Sequence, residues 1–417
     1  MNEFTTNNLD LVVIGAGPAG LAAAVSAKKN GVQDLVIIER NNWLGGILPQ
    51  CIHDGFGLEI FQKPLTGPEY AQRYIDKVEE LEIPYMLDSM VLKITPEKKV
   101  VVASPNGLFC FNPKAIILAM GCRERTRGQI CISGTRPAGV YTAGVAQNLI
   151  NLKNMMVGKD VVILGSGDIG MIMARRLTLE GAKVHAVVEI LFHTNGLPRN
   201  IQQCLIDYDI PLLLSHTVTE IHGQNRVESV TISPVDRNLE PIKGKEKRIT
   251  CDTLLLSVGL IPENDLSNMC GVDLNSITGG AVVNENLETS VPGIFSCGNV
   301  LHVHDIVDFV TIEAEKAGKN AAEYINGKQQ KLKRIHTEAG NGIRYVLPHK
   351  IPVDTDIELS IRVSCPEEDV SIGFLDGEKL VKSKRFLKIH PAQMIKIKLK
   401  RSEIQAINSL KAEVIHK

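Results

Sequence analysis

Gly15-Ala16-Gly17-Pro18-Ala19-Gly20 follows an apolar run, Leu11-Val12-Val13-Ile14, and opens an alanine-rich stretch from Leu21 to Lys29. This order predicts a strand, a glycine turn and a helix. The three glycines have separate jobs: a tight turn, close backbone approach to a pyrophosphate, and close helix–strand packing. Pro18 suits the first helical turn, where no N–H is needed for the ladder. The N–H groups at the helix start, and the positive end of its dipole, then face two phosphates. Gly31 ends the helix. Leu35-Val36-Ile37-Ile38 reads as the next strand and runs into Glu39, whose carboxylate can accept both ribose hydroxyls of an adenosine.

In a chain of 417 residues with 35 glycines, such a spacing alone proves little. A second copy decides the reading. Gly165-Ser166-Gly167-Asp168-Ile169-Gly170 follows Val161-Val162-Ile163-Leu164 and opens a helical stretch closed by Gly181; a strand from Lys183 then ends at Glu189. Gly15, Gly17, Gly20, Gly31 and Glu39 correspond to Gly165, Gly167, Gly170, Gly181 and Glu189, each 150 residues on. Two accidents would not share five positions in register. The reading is two dinucleotide sites on one chain.

Outward from these motifs the chain is ordinary for a globular protein, at 44% apolar and 22% charged residues. A net charge of −1 without a long basic run argues against nucleic acid as a partner. Val12 to Ala27 imitates a signal-peptide core, but no Lys or Arg precedes Lys28, and no other stretch approaches a membrane span. A cytoplasmic location is expected. The nine cysteines form no CxxC and no group with zinc or iron–sulfur spacing, so no metal site is expected.

In chain order, residues 1–8 are polar and expected to be loose. Trp43 to Gly57 is a Gly- and Pro-containing loop that starts just after Glu39 and would run along an extended cofactor. Pro68 to Leu81 reads as a helix and Tyr85 to Ile94 as a strand. Val100 to Phe111 reads as two short strands around a turn at Ser104-Pro105-Asn106-Gly107. Ala115 to Gly121 is a buried strand ending in glycine. The second copy repeats this order, with a β-rich stretch from Val227 to Ile249 before Thr253 to Gly259. Asp305 to Asn326 reads as a helix. From about residue 335 alternation and turns replace alanine-rich helices, and Asp376-Gly377 signals a hairpin. Residues 335–417 therefore read as a small all-β domain, its Lys396, Lys398, Lys400 and Arg401 on a solvated strand face.

GAGPAG with Glu39, the IILAMG strand, GSGDIG with Glu189, LLLSVG, and TSVPGIFSCGN before a helix together resemble the pyridine nucleotide–disulfide oxidoreductases over residues 9–327. The resemblance implies an α/β fold of two Rossmann-like dinucleotide-binding domains. Their size is that of thioredoxin reductase, with the small C-terminal β domain added. It implies an FAD-binding domain in two parts, 1–150 and 285–330, around an NAD-binding domain at 151–284, followed by the β domain at 335–417. A narrower likeness, through GGILPQCIHDGFG and GCRERTRG, is to the flavoprotein subunits associated with glycerol-3-phosphate, proline, opine and cyanide-forming amino-acid dehydrogenases. In those systems a substrate dehydrogenase and an iron–sulfur protein are the usual partners.

The same resemblance implies FAD contacts from Gly15, Gly17, Pro18, Ala19, Gly20, Glu39, Arg40, Gly46, Ile47, Val91, Ala119, Met120, Gly121, Gly298, Asn299, Val310 and Thr311. It implies NAD contacts from Gly165, Gly167, Asp168, Ile169, Gly170, Glu189 and Gly259. Val310 and Thr311 lie where the family's last helix aims its N-terminus at the flavin. Asn299 stands where the family usually has Asp, and no redox cysteine pair is present. Glu189, followed by Ile190, Leu191 and Phe192 rather than Arg, favours NADH over NADPH, because a 2′-phosphate would meet the carboxylate.

Cys51 lies near the family's flavin-facing cysteine, so its thiolate is a candidate redox group, with His53 a candidate proton donor. Arg123, Glu124, Arg125 and Arg127 could receive an anion, though a solvated linker with local ion pairs is the simpler reading. Three functions follow as expectations. The first is an FAD-dependent NADH oxidoreductase exchanging electrons with a partner or small acceptor. The second is a single-cysteine NADH oxidase or peroxidase using Cys51. The third is a non-catalytic, cofactor-bearing assembly subunit.

Overall fold

The computed structural model describes residues 6–329 and 332–416. Residues 1–5, expected to be loose, lie outside that range, and from Thr6 the chain is already in a strand. The chain packs as two units, residues 1–122 with 262–417 and residues 123–261. These borders fall earlier than the expected 150/151 and 284/285. Strand Val140–Thr142 is the reason for the first: it joins the second unit's sheet beside Thr253–Leu256.

In the first unit, β1 (Thr6–Ile14), α1 (Pro18–Lys29) and β2 (Leu35–Ile38) form a right-reading βαβ start, with β1 and β2 parallel. Helix α2 (Gly67–Glu80) follows, opened by a capping box in which Thr66 and Glu69 satisfy each other's backbone N–H. The strand expected over 85–94 is two strands, β3 (Tyr85–Met86) and β4 (Met90–Ile94), split by a turn in which Asp88 has positive φ. Then come β5 (Val100–Ser104) and β6 (Gly107–Leu118). The sheet order is β3-β2-β1-β6-β5-β4, with strand Ile294–Ser296 also pairing with β6.

Strand β6 corrects a sequence expectation. The second half of the hairpin and the buried strand at 115–118 are one continuous strand. Its first half pairs with β5, and its second half lies between β1 and Ile294–Ser296. The alternation is two-faced early and fully buried late because the neighbours change along its length.

The second unit holds a parallel five-stranded sheet in the order 212–214, 183–189, 160–164, 253–256, 140–142. Helices α3 (Ala143–Lys153), α4 (Asp168–Leu179) and α5 (Pro198–Cys204) belong to this unit. A smaller sheet of four strands, 247–250, 229–234, 216–222 and 133–134, completes it.

The chain returns to the first unit through α6 (Asp265–Met269) and α7 (Val307–Ile325). Helices α1 and α7 lie in close contact, since a Cβ at Gly318 would meet the Ala23 carbonyl oxygen at 2.2 Å. The C-terminal region from 334 has a five-stranded and a three-stranded sheet around one core that includes Leu359, Ile361, Ile372, Phe374 and Val414. Among the described residues its one helical element is a single turn, Arg401–Ile404. The Asp376-Gly377 hairpin forms, between strands Glu367–Asp376 and Lys379–Ile389.

This region is fastened to the rest of its unit. Arg334 makes a two-pronged ion pair with Glu285, both bonds 2.7 Å. Tyr345, Leu347 and Met394 join the core of the dinucleotide-binding part. The backbone N–H of Val283 donates to His349 Nδ1 at 3.2 Å, while His349 Nε2 is buried with no partner among the described residues.

Burial pushes the His349 imidazole down to about 4, and the nearby charges of His302, His336 and Lys350 act the same way. Between about pH 6.5 and 4 the unfolded chain therefore binds a proton that the folded chain refuses. Stability should fall as pH drops through that window, by about 3 kcal/mol from this residue at 1.36 kcal/mol per pH unit. Denaturant unfolding at successive pH values checks it. His349→Asn, which keeps an acceptor for Val283, should flatten the slope.

Candidate functional site: two glycine turns braced by buried carboxylates

At the first turn, Gly15 has φ +99°, and a Cβ there would lie 2.5 Å from the Ala119 carbonyl oxygen. Both facts demand glycine. Its N–H donates to Ile38 O at 2.8 Å, and Ala119 N donates to Ile14 O at 2.9 Å, so β2, β1 and β6 meet at the turn. Gly17 caps α1 with no side chain on the helix's first N–H groups. Gly46 folds over it, since a Cβ on Gly46 would lie 2.8 Å from Gly17 Cα. A Cβ at Gly20 would sit 1.7 Å from the Gly15 carbonyl oxygen. Glu39 is buried beneath: Oε2 accepts Ala16 N at 2.7 Å and Oε1 accepts Asn41 N at 2.8 Å.

The second turn repeats the carboxylate bonds 150 residues on. Gly165, at φ +96°, donates to Val188 O at 2.7 Å. Ser257 N donates to Leu164 O at 2.7 Å. Glu189 accepts Ser166 N through Oε2 at 2.9 Å and Leu191 N through Oε1 at 3.0 Å. Where Gly45 N reaches Ala16 O at 2.8 Å, Asn195 N reaches Ser166 Oγ at 3.0 Å. The correspondence therefore extends to Gly45 and Asn195, a pair at the same spacing that the sequence reading did not match.

The copies differ in detail. Glu189 Oε2 also takes Ser166 Oγ at 2.6 Å and Asn195 Nδ2 at 3.3 Å, so mainly Oε1 keeps acceptor capacity. Each Glu39 oxygen carries only one of these bonds, and both keep capacity. Asp168, expected at the cofactor, takes Leu197 N at 2.8 Å and Asn200 Nδ2 at 2.6 Å through Oδ1, and so positions the following loop. Ile169 packs, partly buried, against the second unit's core. Ser257 Oγ accepts Gly170 N at 3.1 Å. Gly121 and Gly259 have positive φ and open space where a Cβ would stand.

Within the first unit, Gly298 brings remote residues together. A Cβ on it would meet Ala19 Cβ at 2.7 Å and Val310 Cγ1 at 3.3 Å. Its N–H donates to Glu313 Oε1 at 2.8 Å. Asn299 Oδ1 accepts the His304 backbone N–H at 3.0 Å, while its Nδ2 faces Cys122 Sγ at 3.7 Å. Arg40 is exposed, as is Ile47; Gly46 and Met120 are half-buried, and Val91 and Ala119 are buried. The N-terminus of α7 lacks a side-chain cap, but the oxygens of Asp308 in its first turn accept Gly57 N at 3.0 Å and Ile60 N at 3.3 Å. Thr311 is fully buried and accepts the Tyr70 hydroxyl at 2.8 Å, so its side chain is used in packing α7 to α2.

The structure also places the candidate reactive groups. Cys51 is buried, its Sγ 3.5 Å from Ile47 O, and burial pushes the thiol up to about 12. At neutral pH it is a thiol, not the thiolate that a redox or nucleophilic role needs. His53 is half-buried, with its ring 4.9 Å from that of Phe56. Arg127 donates to the carbonyls of Ile132, Ser133, Gly134 and Thr135, and Glu124 accepts Gly144 N at 2.8 Å. These two hold local backbone rather than present charge to an anion.

One cluster had no counterpart in the sequence reading, which weighed cysteine spacing alone. His302 and His304, on the loop after Gly298, converge on Glu313 of α7. His302 Nε2 lies 2.9 Å and His304 Nε2 3.5 Å from Glu313 Oε2. Burial, with His304 beside it, pushes His302 down to about 4, which leaves it neutral at pH 7.

Comparison with known proteins agrees with this architecture. The family model described as pyridine nucleotide-disulphide oxidoreductase matches residues 9–334. The mitochondrial dihydrolipoyl dehydrogenase of Caenorhabditis elegans is 27% identical over 342 residues, which cover 72% of this chain and 65% of the relative. The hydrogen cyanide synthase subunit HcnB of Pseudomonas protegens is 26% identical over 320 residues, covering 70% of this chain and 66% of the relative. The chain thus spans about two thirds of each relative's length. The crystal structure of T. acidophilum thioredoxin reductase superposes with a TM-score of 0.61 at 23% identity, over 77% of this chain and 98% of that one. Among the described residues no helix is long and apolar enough to cross a membrane.

The two third glycines make a testable contrast. In Gly20→Ala the new methyl meets backbone, which cannot yield. In Gly170→Ala it meets first the Ser257 side chain, with Cβ at 2.6 Å and Oγ at 2.8 Å. Both variants should lower the melting temperature. Adding Ser257→Gly should recover much of the Gly170→Ala loss, whereas no single neighbour substitution should recover Gly20→Ala. Thermal unfolding of the single and double variants measures it.

Proposed function

The chain belongs to the pyridine nucleotide-disulphide oxidoreductase family, FAD-dependent enzymes that use a pyridine nucleotide, and from that premise we propose that it is an NADH-linked electron-transfer flavoprotein. FAD would be held on the Gly15 turn and NADH on the Gly165 turn. Bound together, the two cofactors supply a hydride transfer between nicotinamide and flavin. The observation that carries the reading is the repetition of the carboxylate-braced turn, bond for bond, at a spacing of 150 residues.

The fit of each cradle to a dinucleotide rests on this chain's own groups. The uncapped N-termini of α1 and α4 leave N–H donors for phosphate oxygens. Gly17 and Gly167 carry no side chain between those donors and a ligand. Glu39 has acceptor capacity for both ribose hydroxyls, and Glu189 for one through Oε1. The α7 N-terminus, near Gly298 and Val310, would supply positive potential to a reduced flavin held as in the family. Little acid–base chemistry is required of the protein, so orientation and electrostatics are its contribution.

Glu189 is also the basis for a coenzyme preference. A 2′-phosphate about 4 Å from its carboxylate would be repelled by about 1–4 kcal/mol. The kcat/KM for NADH should exceed that for NADPH by at least about fivefold. A ratio near one, or one favouring NADPH, overturns this part.

The similarity to HcnB, named as a subunit, supports a place beside a partner. We propose that electrons pass to or from a substrate dehydrogenase, an iron–sulfur protein or a small acceptor. Rapid mixing under anaerobic conditions tests the central step: NADH should bleach the flavin within a few turnover times. A yellow protein that NADH leaves unbleached would favour a cofactor-bearing assembly role. The single-cysteine oxidase reading is disfavoured by the protonated Cys51 thiol, and Cys51→Ser should leave NADH turnover unchanged.

A further inference from the structure

We propose that His302, His304 and Glu313 form a binding site for one divalent transition-metal ion of the zinc class, a site separate from both dinucleotide cradles in its ligands. The three donor atoms lie within 4.8 Å of one another. Both separations from the shared Glu313 oxygen, 2.9 and 3.5 Å, bracket the spacing of about 3.3 Å between ligands of a tetrahedral ion held at about 2.0–2.1 Å. Two imidazoles and one carboxylate are a common ligand set for such an ion, with a fourth position for water.

The outer hydrogen bonds point the same way. The His304 backbone N–H can only donate, so Asn299 must turn its Oδ1 toward it, and that fixes the amide. The same Oδ1 lies 3.3 Å from His304 Nδ1 and can only accept, so Nδ1 carries the proton. A neutral His304 then aims the bare lone pair of Nε2 at the Glu313 carboxylate, 3.5 Å away. Two acceptors facing each other need a cation between them. Either a second proton sits on His304 or a metal ion bridges the pair.

His302 is built in the same manner. Its Nδ1 lies 3.3 Å from the Tyr345 hydroxyl, which also accepts Arg362 Nε at 3.4 Å. A ligating histidine whose other ring nitrogen is tied to a fixed oxygen is the usual arrangement around such ions. The carboxylate is oriented too: Gly298 N–H holds Oε1, leaving Oε2 toward the histidines. Arg362 clamps the loop between them through Val303 O and Asp305. The side chains of His302, His304 and Glu313 are 1%, 4% and 15% exposed, so water cannot satisfy facing acceptors there cheaply. A bound ion would tie the loop after Gly298 to α7 and, through Tyr345 and Arg362, to the C-terminal sheets.

The experiment uses the full-length, flavin-loaded protein, stripped with chelator and dialysed against micromolar free Zn2+. Metal analysis should find one ion per chain, and Zn2+ should raise the melting temperature. Glu313→Gln keeps the shape and an acceptor for Gly298, and it should weaken zinc binding at least a hundredfold. His304→Ala should do the same and abolish the zinc-dependent shift. Cobalt in place of zinc should give visible absorption at wavelengths beyond the flavin band, lost in Glu313→Gln. Folded wild type that takes up no zinc under these conditions overturns the proposal in favour of a doubly protonated His304. Zinc binding undiminished in Glu313→Gln overturns it as well, since the ion then lies elsewhere. Neither result depends on whether NADH reduces the flavin.

Discussion

A buried carboxylate accepting the N–H of the residue after the first glycine is the constraint on which both halves of this protein depend. Without Glu39 the Ala16 N–H would be stranded at a turn so close to the end of β6 that a Cβ on Gly15 would lie 2.5 Å from the Ala119 carbonyl oxygen. Leaving a buried donor unmet costs roughly 1–3 kcal/mol, and removing a carboxylate that receives it costs more than a neutral bond would. The second copy solves the problem with the same residue type at the same place and adds the Ser166 hydroxyl. A glycine turn with no side chain over it is held from below.

The long helix α7 has the corresponding role for the first unit as a whole. Along its length Asp308 holds the 57–60 loop, Thr311 and Glu315 take the hydroxyls of Tyr70 and Tyr74, and Glu313 fixes Gly298. Gly318 allows α1 to approach to backbone contact. A helix bonded on more than one face can present its uncapped N-terminus in a fixed direction, which is what electrostatic stabilisation of a cofactor requires. The C-terminal sheets contribute to that rigidity through Arg334, His349 and Arg362, so they belong to the unit's structure rather than hanging from it.

The fate of the candidate reactive groups follows from burial. Cys51 is of the right type and near the right motif, yet it is kept protonated by an apolar setting, while Asp168 gives its Oδ1 to the loop it supports. Arg127 looks available as one of three nearby arginines, but its guanidinium is spent on four consecutive carbonyls. Charge and residue type suggest chemistry; hydrogen-bond demand in the folded chain decides whether any remains for a ligand.

The sequence by itself determined the two βαβ turns, their duplication, the family and the β-rich character of the C-terminal region. Those features are local, set by glycine conformations, strand hydrophobicity and a fixed repeat distance. It did not determine that β6 is one strand with two sets of neighbours, that Val140–Thr142 belongs to the second sheet, or that the C-terminal sheets join the first unit. Nor could it pair His302 and His304 with Glu313 across a loop and a helix turn, or set Gly298 against Ala19. These depend on which distant surfaces meet, and that is settled by the burial of apolar area and the need to satisfy each buried polar group, quantities that exist only once the chain has folded.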